Sequence, residues 1–290
     1  MEARSIYIKR FRVILKRNLS LMISFITLTA IFILGFVLSF FSPYDPRRWG
    51  TVPSDLPPSW TYLFGTNSLG QDIFWLLTWA LRNSLILGFI ASLAGLSIGI
   101  ILGVIAGYKG GLIERIILFF ADTFIMMPTL PILILVSSRI KGTLNMFILG
   151  LIIASLTWGM PVRNIRSMIL SLREREFTYT ALFSGSSFIK ILFKEYFPHL
   201  LPWILASVMG RTLFAIGMEV TLAIFGLSTL NEATLGTMIY WANKYQAMFR
   251  GLWWWIGFPV IFILILLISL YLLSSGINEH LNPRSIRGQR

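Results

Sequence analysis

Six apolar runs of about 20 residues constrain this chain more than any other feature, because a helix of that length rises about 30 Å, the hydrocarbon thickness of a bilayer. They read as Leu19–Phe41, Leu85–Tyr108, Ile113–Ser138, Leu144–Val162, Leu200–Leu227 and Leu252–Ser275. With 56% apolar and 13% charged residues, too little polar surface exists to clothe a water-soluble shell. The expected fold class is therefore all-α, a polytopic membrane protein with six transmembrane helices. The first run follows Arg4, Lys9, Arg10, Arg12, Lys16 and Arg17. It is longer than a secretory signal's apolar core and reads as a retained anchor.

The net charge of +13 would suggest nucleic acid in a soluble protein. Here the Lys and Arg sit in short clusters between apolar runs, which is an orientation signal and leaves no basic groove. Six spans with an inside N-terminus place the arm, the 109–115 turn, the 163–199 segment and the tail in the cytoplasm. Those segments hold 17 of the 25 Lys and Arg, and the 139–141 turn is the short outer loop that runs against the bias. The expected organisation is a cytoplasmic arm at 1–18, a first span at 19–41, and an external loop at 42–82 whose end, Asp72–Arg82, is amphipathic. A core of five spans at 83–276 follows, with the cytoplasmic loop 163–199 inside it, and a cytoplasmic tail at 277–290. Eight tryptophans, at 49, 60, 75, 79, 241 and 253–255, fall in or beside the outer segments, as an interfacial belt would place them.

Within the second run, Ala91, Gly95, Gly99, Gly103 and Gly107 recur every fourth residue and form one smooth stripe for a closely packed helix. Ionisable groups at membrane depth cost about 2.5–3.5 kcal/mol each on insertion, so Asp122, Arg211 and Glu219 are candidates for a pathway or gate. Arg211 and Glu219 lie about 12 Å apart along a helix and need other partners. Pro128 and Pro131 predict a kink or hinge in the third run.

The sequence carries no chemical motif: it has no cysteine, two distant histidines without metal spacing, and no Gly-rich phosphate loop. No metal site, nucleotide cofactor or catalytic group is expected in this chain, and it is not read as an enzyme. The segment from Leu172 to Pro202 is too polar to cross and carries an apolar face with a basic rim. It reads as two short helical stretches around Gly185-Ser186-Ser187, stopped by Pro198 and Pro202. Such a pair can lie on anionic lipid or dock into a partner's groove.

That segment resembles the cytoplasmic "EAA" loop of ABC-importer permeases, and the whole chain resembles the second permease of the oligopeptide/dipeptide importer family. The blocks that carry the resemblance are SPYDP at 42–46, FGTNSLGQD at 64–72, GYKGG at 107–111, the stretch from Asp122 to Pro128 and SLREREF at 171–177. The Gly185 corner, EVTLAIFGL at 219–227 and LNPR at 281–284 complete them. Two departures stand out: Tyr179-Thr180-Ala181 replaces Glu-Ala-Ala, and Asn67 with Gln71 replaces a charged pair.

The resemblance implies a type I importer permease fold in the cytoplasmic membrane, with both termini cytoplasmic. It implies as partners a homologous second permease, two ATPase subunits that hold ATP and Mg, an external solute-binding protein and the bilayer, and no nucleic acid. ATPase docking would fall on Glu176, Phe177, Tyr179, Thr180, Ala181, Gly185, Ser186, Phe188 and Lys190, with the 176–190 helix passing ATPase motion to the pathway. Oligopeptides are the expected solutes. Short oligosaccharides are an alternative, and a stand-alone carrier or channel using Asp122, Arg211 and Glu219 as an ion relay is the rival from another class.

Overall fold

A computed structural model describes residues 19–140 and 143–281; the basic arm at 1–18, Lys141, and the tail from 282 with most of the LNPR block lie outside the described residues. The regular structure of the described residues is helical, apart from a single β-bridge between Thr66 and Asp72. Helix α1, Leu19–Phe32, runs on through a π turn and a 3-10 turn to Phe41. It is followed by α2, Ile73–Lys109; α3, Gly111–Met126; α4, Thr129–Arg139; α5, Met146–Thr157; and α6, Gly159–Arg173. Then come α7, Glu176–Phe183; α8, Phe188–Ile191; α9, Phe197–Ile224; α10, Leu235–Lys244; and α11, Trp253–Leu281.

Among the described residues, four continuous helical stretches are long and apolar enough to cross a membrane: Leu19–Phe41, Ile73–Lys109, Phe188–Ile224 and Trp253–Ile277. Two bent pairs complete six if each counts as one span: α3 with α4, at 81°, and α5 with α6, at 52°. The chain is a multi-pass membrane protein.

Three local expectations change. The amphipathic stretch after Asp72 is the start of α2, not a separate segment. Asp72 caps it by accepting from the Phe74 amide at 2.8 Å, and the helix then runs 37 residues without a break. Pro131 makes no kink of its own, since it lies in the first turn of α4, where a missing amide costs nothing; the break falls at Met127 and Pro128. Pro198 and Pro202 do not stop the helix. A π turn at Leu192–Tyr196, closed by the Phe197 amide on the Leu192 carbonyl, joins α8 to α9, and its wider turn leaves room for the proline ring.

The chain forms two compact units, one of residues up to Ile86 with those from Ile216, the other of Leu87–Ala215. In the first, α1 packs on α11, where Thr27 and Ser269 share a hydroxyl contact at 2.6 Å. Its outer loop is held by polar contacts. Asn67 donates to Gln71 Oε1 at 2.9 Å, Gln71 donates to the Pro46 and Arg47 carbonyls, and both side chains are buried. A neutral pair thus spans the turn without burying ions. Asp55 pairs with Arg250 at 2.7 Å, and the Trp254 indole donates to the Thr66 carbonyl. Trp254 and Trp255 are buried and so belong to the packing, while Trp60 is 99% exposed as a belt residue would be.

In the second unit the small-residue stripe faces α5 and α6. A Cβ at Gly99 would collide with the Pro161 ring, at Gly103 it would stand 2.8 Å from the Ile165 Cβ, and at Gly107 2.9 Å from the Ile169 Cβ. Ala91, at the head of the stripe, is buried. Arg166 pairs with Glu114 and Arg163 with Asp122, tying α6 to α3.

Candidate functional site

Two groups of residues in the second unit, and one in the first, carry the polar and exposed features that the apolar frame does not need. The first is the corner between α7 and α8. Helix α7 ends in a Schellman turn: the Gly185 amide donates to the Leu182 carbonyl at 2.9 Å and the Ser186 amide to the Ala181 carbonyl at 3.1 Å. This closure needs a left-handed residue, and Gly185 supplies it at φ +72° with open space around it.

The corner has an inner and an outer side. Phe177, Ala181 and Phe188 pack against a buried cluster of Val104, Ile165, Ile169, Ile191, Tyr196 and Leu200. Thr178 is buried beneath them and donates to the Leu172 carbonyl at 2.7 Å. Phe188 stacks on Tyr108 with centroids 3.7 Å apart, and Phe177 stacks on His199. Arg173 donates to the Gly107 and Tyr108 carbonyls, capping the end of α2. Glu176, Tyr179, Thr180, Gly185 and Lys190 are exposed on the other side, with Ser186 half-buried. Beside them Phe183 is 90% and Ile189 66% exposed, an apolar tip on a corner that is braced from within.

The second group lies within the candidate membrane spans. Asp122 of α3 is bound by Arg163 of α6 through two contacts, 2.7 Å and 3.1 Å. Sequence reading missed this partner because it placed Arg163 in a cytoplasmic loop, whereas α6 continues to Arg173. Arg211 of α9 donates through Nη2 to the Thr157 carbonyl at 2.6 Å and to its hydroxyl at 2.9 Å. Pro161 explains the acceptor: four residues beyond Thr157, it has no amide to offer that carbonyl. Gly95 makes room for the guanidinium, since a Cβ there would stand 2.8 Å from Nη2. Pro128 marks the 81° break.

Glu219 lies in the first unit. Its Oε1 accepts from Ser228 Oγ at 2.8 Å and Thr234 Oγ1 at 2.6 Å, and Thr234 also caps α10. A Cβ at Gly236 would press on Glu219 Oε2 at 2.8 Å. The pinned segment is completed by Asn83 on the Ala233 carbonyl and the Leu235 amide on Ser84. Each of the three ionisable groups thus has its own local partners, and among the described residues none of the three pairs with another. Among the described residues no group of His, Cys, Asp or Glu could hold a metal ion.

The family described as "Binding-protein-dependent transport system inner membrane component" matches residues 99–287. The dipeptide transport system permease protein DppC of Bacillus subtilis (strain 168) is 28% identical, covering 93% of this chain and 83% of the relative. The oligopeptide transport system permease protein OppC of Lactococcus lactis subsp. cremoris (strain SK11) is 30% identical, covering 89% and 88%. Among solved structures, a chain of an inward-facing MetNI methionine ABC transporter superposes with a TM-score of 0.54 at 17% identity, over 72% of this chain and 97% of that chain. At that identity the likeness carries the fold alone.

Proposed function

The chain belongs to the binding-protein-dependent transport system inner membrane components, and from that premise we propose that it is one permease subunit of an ATP-driven importer for oligopeptides or dipeptides. The all-α type I importer permease fold houses the pathway but no chemistry, so hydrolysis falls to separate ATPase subunits that hold ATP and Mg. The full assembly contains a homologous second permease, two ATPases and an external solute-binding protein. Relatives named for oligopeptide and dipeptide transport favour peptides over oligosaccharides as solute.

The observation that carries this reading is the braced corner. A docking element must be stiff where it meets its own chain and exposed where it meets a partner, and the α7–α8 corner has both properties. Glu176, Tyr179, Thr180, Gly185, Ser186 and Lys190 would face an ATPase, with Phe183 as the apolar anchor. Phe177, Ala181 and Phe188 would pass its motion inward to α6 and α9. Coupling needs the corner to bind the two ATPase states unequally, since an equal contact shifts nothing. Tyr179 stands where resembled permeases have a carboxylate, so this contact is apolar and aromatic here.

Both termini and the corner would lie in the cytoplasm, with 42–72 and the 228–250 segment outside. Asp122, Pro128, Arg211 and Glu219 are the proposed pathway or gating positions. The local partners of the three ionisable groups argue against a stand-alone ion relay. Affinity purification through a tag on this chain tests the reading. Recovery of a second permease and two ATPases is expected, and a chain that transports solute alone would overturn it.

A further inference from the structure

Arg211 sits inside the Phe188–Ile224 span, and none of the described carboxylates forms an ion pair with it. One nitrogen caps Thr157, but its Nε is buried without a hydrogen-bond partner. A carbonyl cap satisfies a donor without cancelling a charge, so a whole positive charge is left at membrane depth, where charge is costly. That charge borders a cavity of about 260 Å³ whose other walls are mostly apolar, among them Phe124, Ile125, Leu156 and Phe214. Thr129, at the N-terminal end of α4, also lines it and brings the partial positive charge of a broken helix.

A neutral helix cap at this place would need only an amide or a hydroxyl. Gly95 leaves room for the larger guanidinium, where even a methyl group would press on it. The cavity is smaller than the roughly 300 Å³ at which sites begin to enclose a whole small molecule, so it suits one end of a solute. The end that fits a lone guanidinium in an apolar wall is a carboxylate, which guanidinium can bind with paired hydrogen bonds.

We propose that Arg211 and this cavity form a carboxylate-binding site for the passing peptide, taking its C-terminus or an acidic side chain. The assignment rests on the peptide-permease reading and adds to it a point of solute contact in this subunit. The site lowers the cost of moving an anionic end through an apolar passage, so it acts on the maximal rate of uptake and not on capture by the binding protein.

The test uses proteoliposomes holding the assembled importer, with the binding protein saturated by each of three peptides that differ in the presence and position of a carboxylate. These are a free-acid peptide, its C-terminal amide, and an amide carrying one glutamate side chain. Wild type is expected to carry the free acid about tenfold faster than the plain amide, the effect of one charge-assisted contact. R211Q, which removes the charge and keeps a shorter amide donor, should bring that ratio close to one, while R211K should keep a preference. A glutamyl amide that keeps pace with the free acid assigns the site to any carboxylate; one as slow as the plain amide assigns it to the C-terminus. Equal slowing of all three peptides by R211Q, as expected if Arg211 only holds the helices or pairs with a carboxylate of the second permease, overturns the proposal. So does an unchanged ratio. If wild type carries none of the peptides, the peptide-permease reading itself fails and the site with it.

Discussion

The Nη2 of Arg211 donates to the carbonyl oxygen of Thr157 at 2.6 Å, the acceptor that Pro161 leaves without its helical donor. A bend of 52° between α5 and α6 is thus closed by a side chain from α9. R211M should cost about 1–3 kcal/mol by stranding that carbonyl. P161A, which returns an amide to the chain, should recover part of the loss in R211M and do little alone. Thermal unfolding of the four variants in detergent measures the coupling, and strictly additive effects would show that the carbonyl is not the shared element.

Gly103 and Gly107 fix how closely α2 meets α6. G103V brings branched carbons to a place where even a Cβ stands 2.8 Å from Ile165 and 2.9 Å from the Val162 carbonyl. Overpacking of this kind costs about 1–3 kcal/mol. I165A removes the Ile165 Cγ2 but keeps its Cβ and leaves the Val162 carbonyl in place, and it also empties part of a buried cluster, so it should not rescue G103V. In thermal unfolding the double variant should be no more stable than G103V, and a double variant restored to wild-type stability would show that the Ile165 branch alone sets the spacing.

At Gly185 the constraint is conformation alone, because φ is +72° and no atom lies within 4 Å of an added Cβ. G185V should therefore distort the corner while G185N, which tolerates left-handed backbone, keeps it. Uptake by the assembled importer should be lost in G185V with ATP hydrolysis continuing, and retained in G185N. Equal loss in both would point to a steric role that the structure does not support.

Outside the membrane, the Tyr44 hydroxyl donates to Asp72 Oδ2 at 2.7 Å. Burial, with the neighbouring carboxylate, pushes the phenol above its usual range, and burial lifts the Asp72 carboxyl as well. A raised folded value means that the neutral phenol is favoured by the fold. Its contribution is whole below the ordinary tyrosine value of about 10 and is lost as pH rises through the folded value. Thermal stability should fall on alkalinisation beyond about pH 10, and Y44F should flatten that fall. An identical alkaline profile in Y44F would remove Tyr44 from the account.

Orientation is open to labelling from either side. Trp60 is 99% and Phe183 90% exposed, so a cysteine at either is accessible in a chain that has none of its own. W60C should react with an impermeant thiol reagent from outside, and F183C only after the cytoplasmic side is opened. The reverse pattern would invert the topology drawn from the charge bias.

The long apolar runs made most of the spans legible, since bilayer thickness leaves a sequence few ways to satisfy its backbone. Small residues every fourth position likewise announced a close helix contact, and Ile165 and Ile169 now occupy its far side. What the runs hid were the joints. Asp72 was a visible helix cap, yet the charge at Arg82 drew the span's start too late. Pro198 and Pro202 looked like stops, yet the π turn that makes room for Pro198 has no compositional mark and Pro202 is carried inside the helix that follows. Trp158-Gly159-Met160-Pro161 was a readable sign of the α5–α6 break, but that Arg211 answers it could not be read, because the two lie more than 50 residues apart and meet only through packing.

On the reading proposed above, this chain conducts peptide only as part of an ATP-driven assembly. The most direct test is uptake of a labelled peptide into proteoliposomes that contain the chain with its second permease and ATPases, with binding protein and ATP supplied. Uptake that requires ATP and the binding protein, and that vanishes when the chain is reconstituted alone, is the predicted result. Peptide or ion flux through the chain alone, independent of ATP, would contradict it.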